Sequence, residues 1–257
     1  MTNATFPLYP HKHTLAAVPD PSEHAVCLRT RVPAATLAST AGVIMLYQRS
    51  LFREVQAGAL DGWVRGDLRL LEHRGRTIGI CGGFGLGAPA AALVLEQLIS
   101  LGTTRVITLG TAASLQPDLQ SGDVVACRLA LRDEGVSHHY LAPARSVRPS
   151  ARLTDHLVHT LQSHHVAVRQ GPGWSTDAPY RETHAEVTRY STEGILAADM
   201  EAAGIFAVAQ HRRIDAAALF VIADSLLHRQ PREDSPDTQT ALRTVLRAAL
   251  TALSTAP

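Results

Sequence analysis

From Gly42 onward, apolar and polar positions alternate between a strand rhythm and a helix rhythm. Val43-Ile44-Met45-Leu46-Tyr47 is a short β-type run, followed by a polar break and a helix beginning near Ser50. Residues 67–71 and 77–81 read as two further strands, separated by the turn-like His73-Arg74-Gly75. A glycine-rich loop, Cys81-Gly82-Gly83-Phe84-Gly85-Leu86-Gly87, then opens a helix over 90–101. Leu93, Val94, Leu98 and Leu101 recur there at helical spacing, Pro89 suits a first turn, and Gly102 supplies the stop. Residues 105–109 and 122–127 read as strands, 196–210 as a helix and 216–223 as a buried strand. The last helix is the clearest, with Leu242, Val245, Leu246, Ala249, Leu250 and Leu253 on one face. Residues 1–40, where Pro7, Pro10, Pro19, Pro21 and Pro33 are scattered, read as an irregular N-terminal arm with a short strand at 25–28. Residues 41–257 read as one α/β domain around a parallel or mixed sheet.

Composition narrows the class. The 257 residues suffice for one large domain, and 46% hydrophobic with 18% charged residues excludes a disordered chain. Lys and Arg number 24 against 23 Asp and Glu, so no overall field selects nucleic acid or an anionic membrane. An anionic substrate then needs a local site. Cys27, Cys81 and Cys127 are far apart, odd in number and without a CxxC pair, which reads as reduced thiols. With no signal-peptide pattern and no apolar run long enough for a bilayer, a cytoplasmic location is expected.

The glycine-rich loop partly fits a dinucleotide fingerprint, but that reading needs an acidic residue about twenty positions on. No Asp or Glu occurs between Glu96 and Asp118, so it fails. Four segments taken together say more: the loop with its helix, Gly110-Thr111-Ala112-Ala113-Ser114-Leu115-Gln116-Pro117, Asp199-Met200-Glu201-Ala202-Ala203, and Ala223-Asp224-Ser225. In this order and spacing they resemble the nucleoside phosphorylase family, from about Val43 to the end of the chain. The Met-Glu-Ala-Ala piece, ahead of a strand-ending Asp, is the most specific part.

The resemblance implies a single α/β domain with a central mixed sheet flanked by helices. It implies a homo-oligomer, a dimer or a trimer of dimers, with sites completed by a neighbour. It also implies phosphorolysis of a ribonucleoside, purine favoured over uridine, to ribose 1-phosphate and free base. Nucleoside and inorganic phosphate would be the small-molecule partners, with no cofactor, and nucleic acid and membrane are not expected. Met200 and Glu201, on a helix, would hold the ribose, since two adjacent hydroxyls suit one bidentate carboxylate. Asp224 would assist the leaving base at purine N7 as the catalytic acid. Arg49, Thr111 and Gly85 would bind phosphate, with helix-start N–H groups adding donors. Tyr180 and Arg181 would meet the base, with Glu182 as an alternative edge reader, and His11 or His13 would reach into a neighbour's site.

The chain also departs from the family pattern. Relatives commonly carry Gly-Asp-Pro-x-Arg after the first strand, where this chain has Gln48-Arg49-Ser50-Leu51. A second phosphate-binding Arg usually stands two residues before the Gly-Thr pair; here it is Thr108. Arg53 and Arg65 are further candidates for the anion. The Gln-x-Arg pair that reads uracil in uridine phosphorylases is missing. Hydrolysis by a nucleosidase on the same fold, and nucleoside binding without catalysis, are therefore the alternatives. No metal is expected, because His138, His139, His156 and His159 have no carboxylate or Cys at ligand spacing.

Overall fold

The computed structural model describes residues 6–229 and 235–255. In chain order the elements are α1 (Pro21–Arg31), β1 (Val43–Leu46), α2 (Arg49–Glu54), β2 (Gly58–Ala59), β3 (Asp67–His73), β4 (Arg76–Gly82), α3 (Ala88–Ser100), β5 (Arg105–Ser114), β6 (Val124–Asp133), α4 (Ser137–Tyr140) and β7 (Ser146–Val147). They continue with α5 (Ala151–Ser163), β8 (Val168–Thr176), α6 (His184–Thr192), β9 (Ala197–Asp199), α7 (Ala202–Arg212), β10 (Asp215–Ser225) and α8 (Pro236–Thr255).

All the strands join one mixed sheet in the order β10-β6-β8-β9-β5-β1-β4-β3-β2, with β7 on β6. β10 also pairs in parallel with β5, which closes β5, β10, β6, β8 and β9 into a ring and leaves β1, β4, β3 and β2 as an extension. Period-two alternation explains the uninterrupted apolar runs. Val43 and Met45 of β1 enter one core, with residues of α1, α3 and α7; Ile44 and Leu46 enter another, with residues of α5 and α8. β10 divides likewise, Ala216, Ala218, Phe220 and Ile222 against Ala217, Leu219 and Val221. The result is a single α/β domain with helices on both faces of a mixed sheet.

Two expectations change. Residues 25–28 form helix rather than strand. Asp20 caps α1 by accepting the Ser22 N–H at 2.8 Å, Pro21 occupies the first turn, and Ala25 and Leu28 are buried against α3. The helix expected over 196–210 begins only at Ala202, because Ala197-Ala198-Asp199 are claimed as a strand between β8 and β5. Small residues permit either state, and the vacant place in the sheet decides.

Candidate active site

Met200 and Glu201 span the turn between β9 and α7, and Asp199 organises that turn. Its Oδ2 accepts the N–H groups of Glu201 at 2.9 Å and Ala202 at 2.6 Å. Its Oδ1 accepts the Ser175 hydroxyl at 2.5 Å, while Ser175 Oγ accepts the Ala203 N–H at 3.0 Å. Three of the free donors at the start of α7 are thus satisfied from two strand ends. Ser175, Asp199 and Glu201 are all buried. For Asp199, burial outweighs these hydrogen bonds and raises its proton affinity.

Glu201 links this turn to the glycine-rich loop. Its Oε1 accepts the Gly87 N–H at 2.7 Å, and its Oε2 accepts the Met200 N–H at 3.3 Å. Burial, followed by the charge of Asp199, pushes its carboxyl well above the usual glutamate range, against the pull of those two N–H groups. The loop needs its glycines: Gly83, Gly85 and Gly87 hold φ of +72°, +106° and +88°. A Cβ on Gly87 would lie 3.8 Å from Met200 Cε, so loop and turn lie close together.

β5 gathers the remaining groups. Ala113 pairs with Ala198 of β9 on one side and with Asp224 of β10 on the other, so Asp224 lies across one strand from the Asp199 turn. A bulge at Ala223 shifts the register just before Asp224 and re-aims that side chain. Asp224 is largely buried, accepts the Ser225 N–H at 2.7 Å and pairs with the Arg229 guanidinium. Thr111, two residues earlier on β5 than Ala113, accepts a hydrogen bond from Gln48 Nε2 at 2.5 Å.

Beside the start of the glycine-rich loop is a cleft of about 190 Å³ lined by Arg49, Phe52, Arg53, Asp67, Arg69 and Gly83. Arg69 is committed, stacked on the Phe52 ring at 4.5 Å and donating to Val55 O. Arg49 and Arg53, four apart on α2, form no side-chain hydrogen bond or ion pair among the described residues. Three guanidinium groups against one carboxylate make the cleft cationic, and its volume suits an ionic group better than a whole nucleoside.

A family model for the phosphorylase superfamily matches residues 64–255. The chain belongs to that superfamily. A guanosine phosphorylase of Halorubrum lacusprofundi is 31% identical over 166 residues, covering 64% of this chain and 68% of the relative. A uridine phosphorylase of Treponema pallidum is 32% identical over 180 residues, 64% of this chain and 69% of the relative. Among solved structures, a uridine phosphorylase of Vibrio fischeri ES114 superposes with a TM-score of 0.73 at 27% identity, over 84% of this chain and 92% of that one. As a member, the chain is an enzyme of the nucleoside phosphorylase family, whose members are pentosyltransferases.

Within this superfamily fold, Met200, Glu201, Asp224 and Thr111 converge on the end of β5. Arg49 lies in the cationic cleft, and Gly85 is exposed on the glycine-rich loop. Tyr180, 99% exposed, and Arg181, also exposed, point to solvent from the three-residue turn Pro179–Arg181. Glu182, next in the chain, is partly buried. Burial raises its proton affinity and the Asp224 charge adds to this, while Arg229 opposes both. His11 is exposed, and Arg65 uses its backbone N–H on Gln97. Cys81 and Cys127 are buried and Cys27 is exposed. Among the described residues no group of three His, Cys, Asp or Glu is arranged for a metal ion. Asp199 entered the sequence reading only as part of its motif, and Ser175 and Arg229 were given no role; an Asp two residues before Glu201 was the one available signal.

Proposed function

We propose that the chain catalyses phosphorolysis of a ribonucleoside, a purine in preference to uridine, giving ribose 1-phosphate and free base. The observation that carries the reading is Glu201, a buried carboxylate held by two backbone N–H groups beside Met200 and across β5 from Asp224. In this mechanism Glu201 accepts hydrogen bonds from the 2′- and 3′-hydroxyls, and Met200 packs beneath the sugar. The C1′–N bond breaks and its electron pair leaves with the base, which takes up a proton at N7 with the help of Asp224. A phosphate oxygen forms the new bond to C1′ from the opposite face. Arg49, Thr111 and the Gly85 loop hold the phosphate, with Arg53 completing the cationic cleft. Catalysis comes from positioning and from charges matched to the separating ion pair. The reaction uses no cofactor, only inorganic phosphate, in a cytoplasmic homo-oligomer. The guanosine-cleaving relative supports the purine preference, as does the absence of the uracil-reading Gln-x-Arg pair.

Hydrolysis is the second reading, favoured by Thr108 and by Gln48-Arg49-Ser50-Leu51 where relatives carry phosphate-binding arginines. One experiment separates the two. The purified chain is incubated with guanosine, inosine, adenosine and uridine, with and without phosphate, and the products are identified. Phosphorolysis requires ribose 1-phosphate and strict phosphate dependence; free ribose formed at the same rate without phosphate overturns it.

A further inference from the structure

Asp67 opens β3 opposite Gly82, the last residue of β4, which places it at the foot of the glycine-rich loop. Its Oδ2 lies 2.8 Å from the point that a Cβ on Gly83 would occupy, so the bare Cα of the loop makes the room the carboxylate takes. The same residue lines the cleft of about 190 Å³ with Arg49, Arg53 and Arg69. It is exposed, and among the described residues its carboxylate accepts no hydrogen bond and pairs with none of the three guanidinium groups. Arg69 is held by Phe52 and Val55, whereas Arg49 and Arg53 are uncommitted. Two donor groups and one acceptor therefore face a common space without closing on each other. A cleft built only to attract negative charge has no use for the acceptor, because a like charge beside a fully ionised anion opposes its binding.

We propose that Asp67 makes the cleft selective for a protonated oxyanion, accepting a hydrogen bond from the P–OH of inorganic phosphate while Arg49 and Arg53 donate to its unprotonated oxygens. Near neutral pH inorganic phosphate is hydrogen phosphate or dihydrogen phosphate, and both keep a proton to donate. Sulfate has the same shape and keeps none. An ionised carboxylate only accepts. It gives hydrogen phosphate a charge-assisted bond and gives sulfate repulsion alone. One side chain thus supplies both the attractive and the repulsive element on which discrimination depends. Holding the P–OH at Asp67 also leaves unprotonated oxygens, the stronger nucleophiles, to attack C1′.

This inference rests on the phosphorolysis reading for its ligand. Asp67→Asn keeps the shape and replaces an acceptor with a group that also donates, and Asp67→Ala removes the group. Sulfate is titrated as a competitor of phosphate at matched ionic strength. In the parent the sulfate inhibition constant is expected to exceed the phosphate KM by about 100-fold. In both variants that ratio is expected to fall at least about tenfold, equivalent to about 1.4 kcal/mol, with the nucleoside KM within about twofold of the parent. Both variants should melt within about 2 °C of the parent, because the side chain is exposed and unbonded. Without nucleoside, millimolar phosphate should raise the melting temperature of the parent more than sulfate does, and the two anions should act alike on the variants. A parent that sulfate inhibits as readily as phosphate binds, an unchanged ratio in the variants, or a variant melting several degrees lower overturns the assignment. Base release that ignores phosphate, alongside the expected melting difference between the two anions, keeps the anion assignment and overturns the phosphorolysis reading instead.

Discussion

Asp199 carries the scaffold of the turn that presents Glu201, and two substitutions separate what its shape does from what its charge does. Asp199→Ala removes the acceptor of two buried N–H groups and of the Ser175 hydroxyl. Loss of the cap costs about 0.5–2 kcal/mol, and the orphaned hydroxyl adds roughly 1–3 kcal/mol. A total of about 1.5–5 kcal/mol is a large part of the roughly 5–15 kcal/mol that holds a domain together. Asp199→Asn behaves differently. Its carbonyl oxygen accepts the same two N–H groups, and its amide donates to Ser175 Oγ, whose own proton loses its acceptor. Because burial disfavours the native carboxylate, the Asn variant should lie within about 1 kcal/mol of the parent or above it. Urea unfolding followed by circular dichroism measures both. Equal, large losses in the two variants would show that the charge is what matters, and a loss below about 1 kcal/mol in the Ala variant would refute the capping argument.

Glu201→Gln should lower kcat/KM on the order of 100-fold, from about 1.5 kcal/mol for each of two hydroxyl contacts. The native pKa of Glu201 is raised above its unfolded value, so its contribution to stability is complete below the usual glutamate range and is lost as pH rises through the native value. The Gln variant should therefore show a flatter stability–pH curve and a gain on the alkaline side, while the parent's nucleoside KM should rise as pH falls through that window; melting and kinetic pH profiles read both. Arg53→Gln should raise the phosphate KM roughly fivefold at low salt and less as salt screens the site; an unchanged value removes Arg53 from the anion site. Glu182→Gln should lower kcat/KM for guanosine about tenfold relative to uridine, since a carboxylate pairs with guanine's N1–H and amino group. Equal losses for both nucleosides would make Glu182 structural.

The fold was legible where one periodicity dominated. β1, β3, β4, α3, β10 and α8 announce themselves by an apolar run, by alternation or by one apolar face, and the glycines of the 83–87 loop are demanded by positive φ. The sequence misled where the sheet decided, as at Ala197–Asp199, and where a cap and packing on a neighbouring helix decided, as at 25–28. The candidate site residues were named from type and order, and neither carries their orientation. Tyr180 looks like a base-stacking residue, yet it stands on a three-residue turn that leaves it in solvent and its neighbour Glu182 partly covered. The capping box that starts α6, Thr183 with Glu186, was the local signal that the chain turns there.

Under the proposed function, the arrangement also gives the ribose-binding carboxylate fixed partners within the chain. Both oxygens of Glu201 already accept backbone N–H groups, one from the glycine-rich loop and one from its own turn. Each carboxylate oxygen has a second lone pair, so ribose hydroxyls add to these bonds instead of displacing them. Sugar binding then adds donors to the carboxylate and favours its ionised form against burial and Asp199. An ionised Glu201 in turn strengthens its bond to the Gly87 N–H at the base of the loop, because charge-assisted hydrogen bonds are the stronger ones. Under the proposed function, that one hydrogen bond would couple occupancy of the ribose end to the loop that borders the phosphate end.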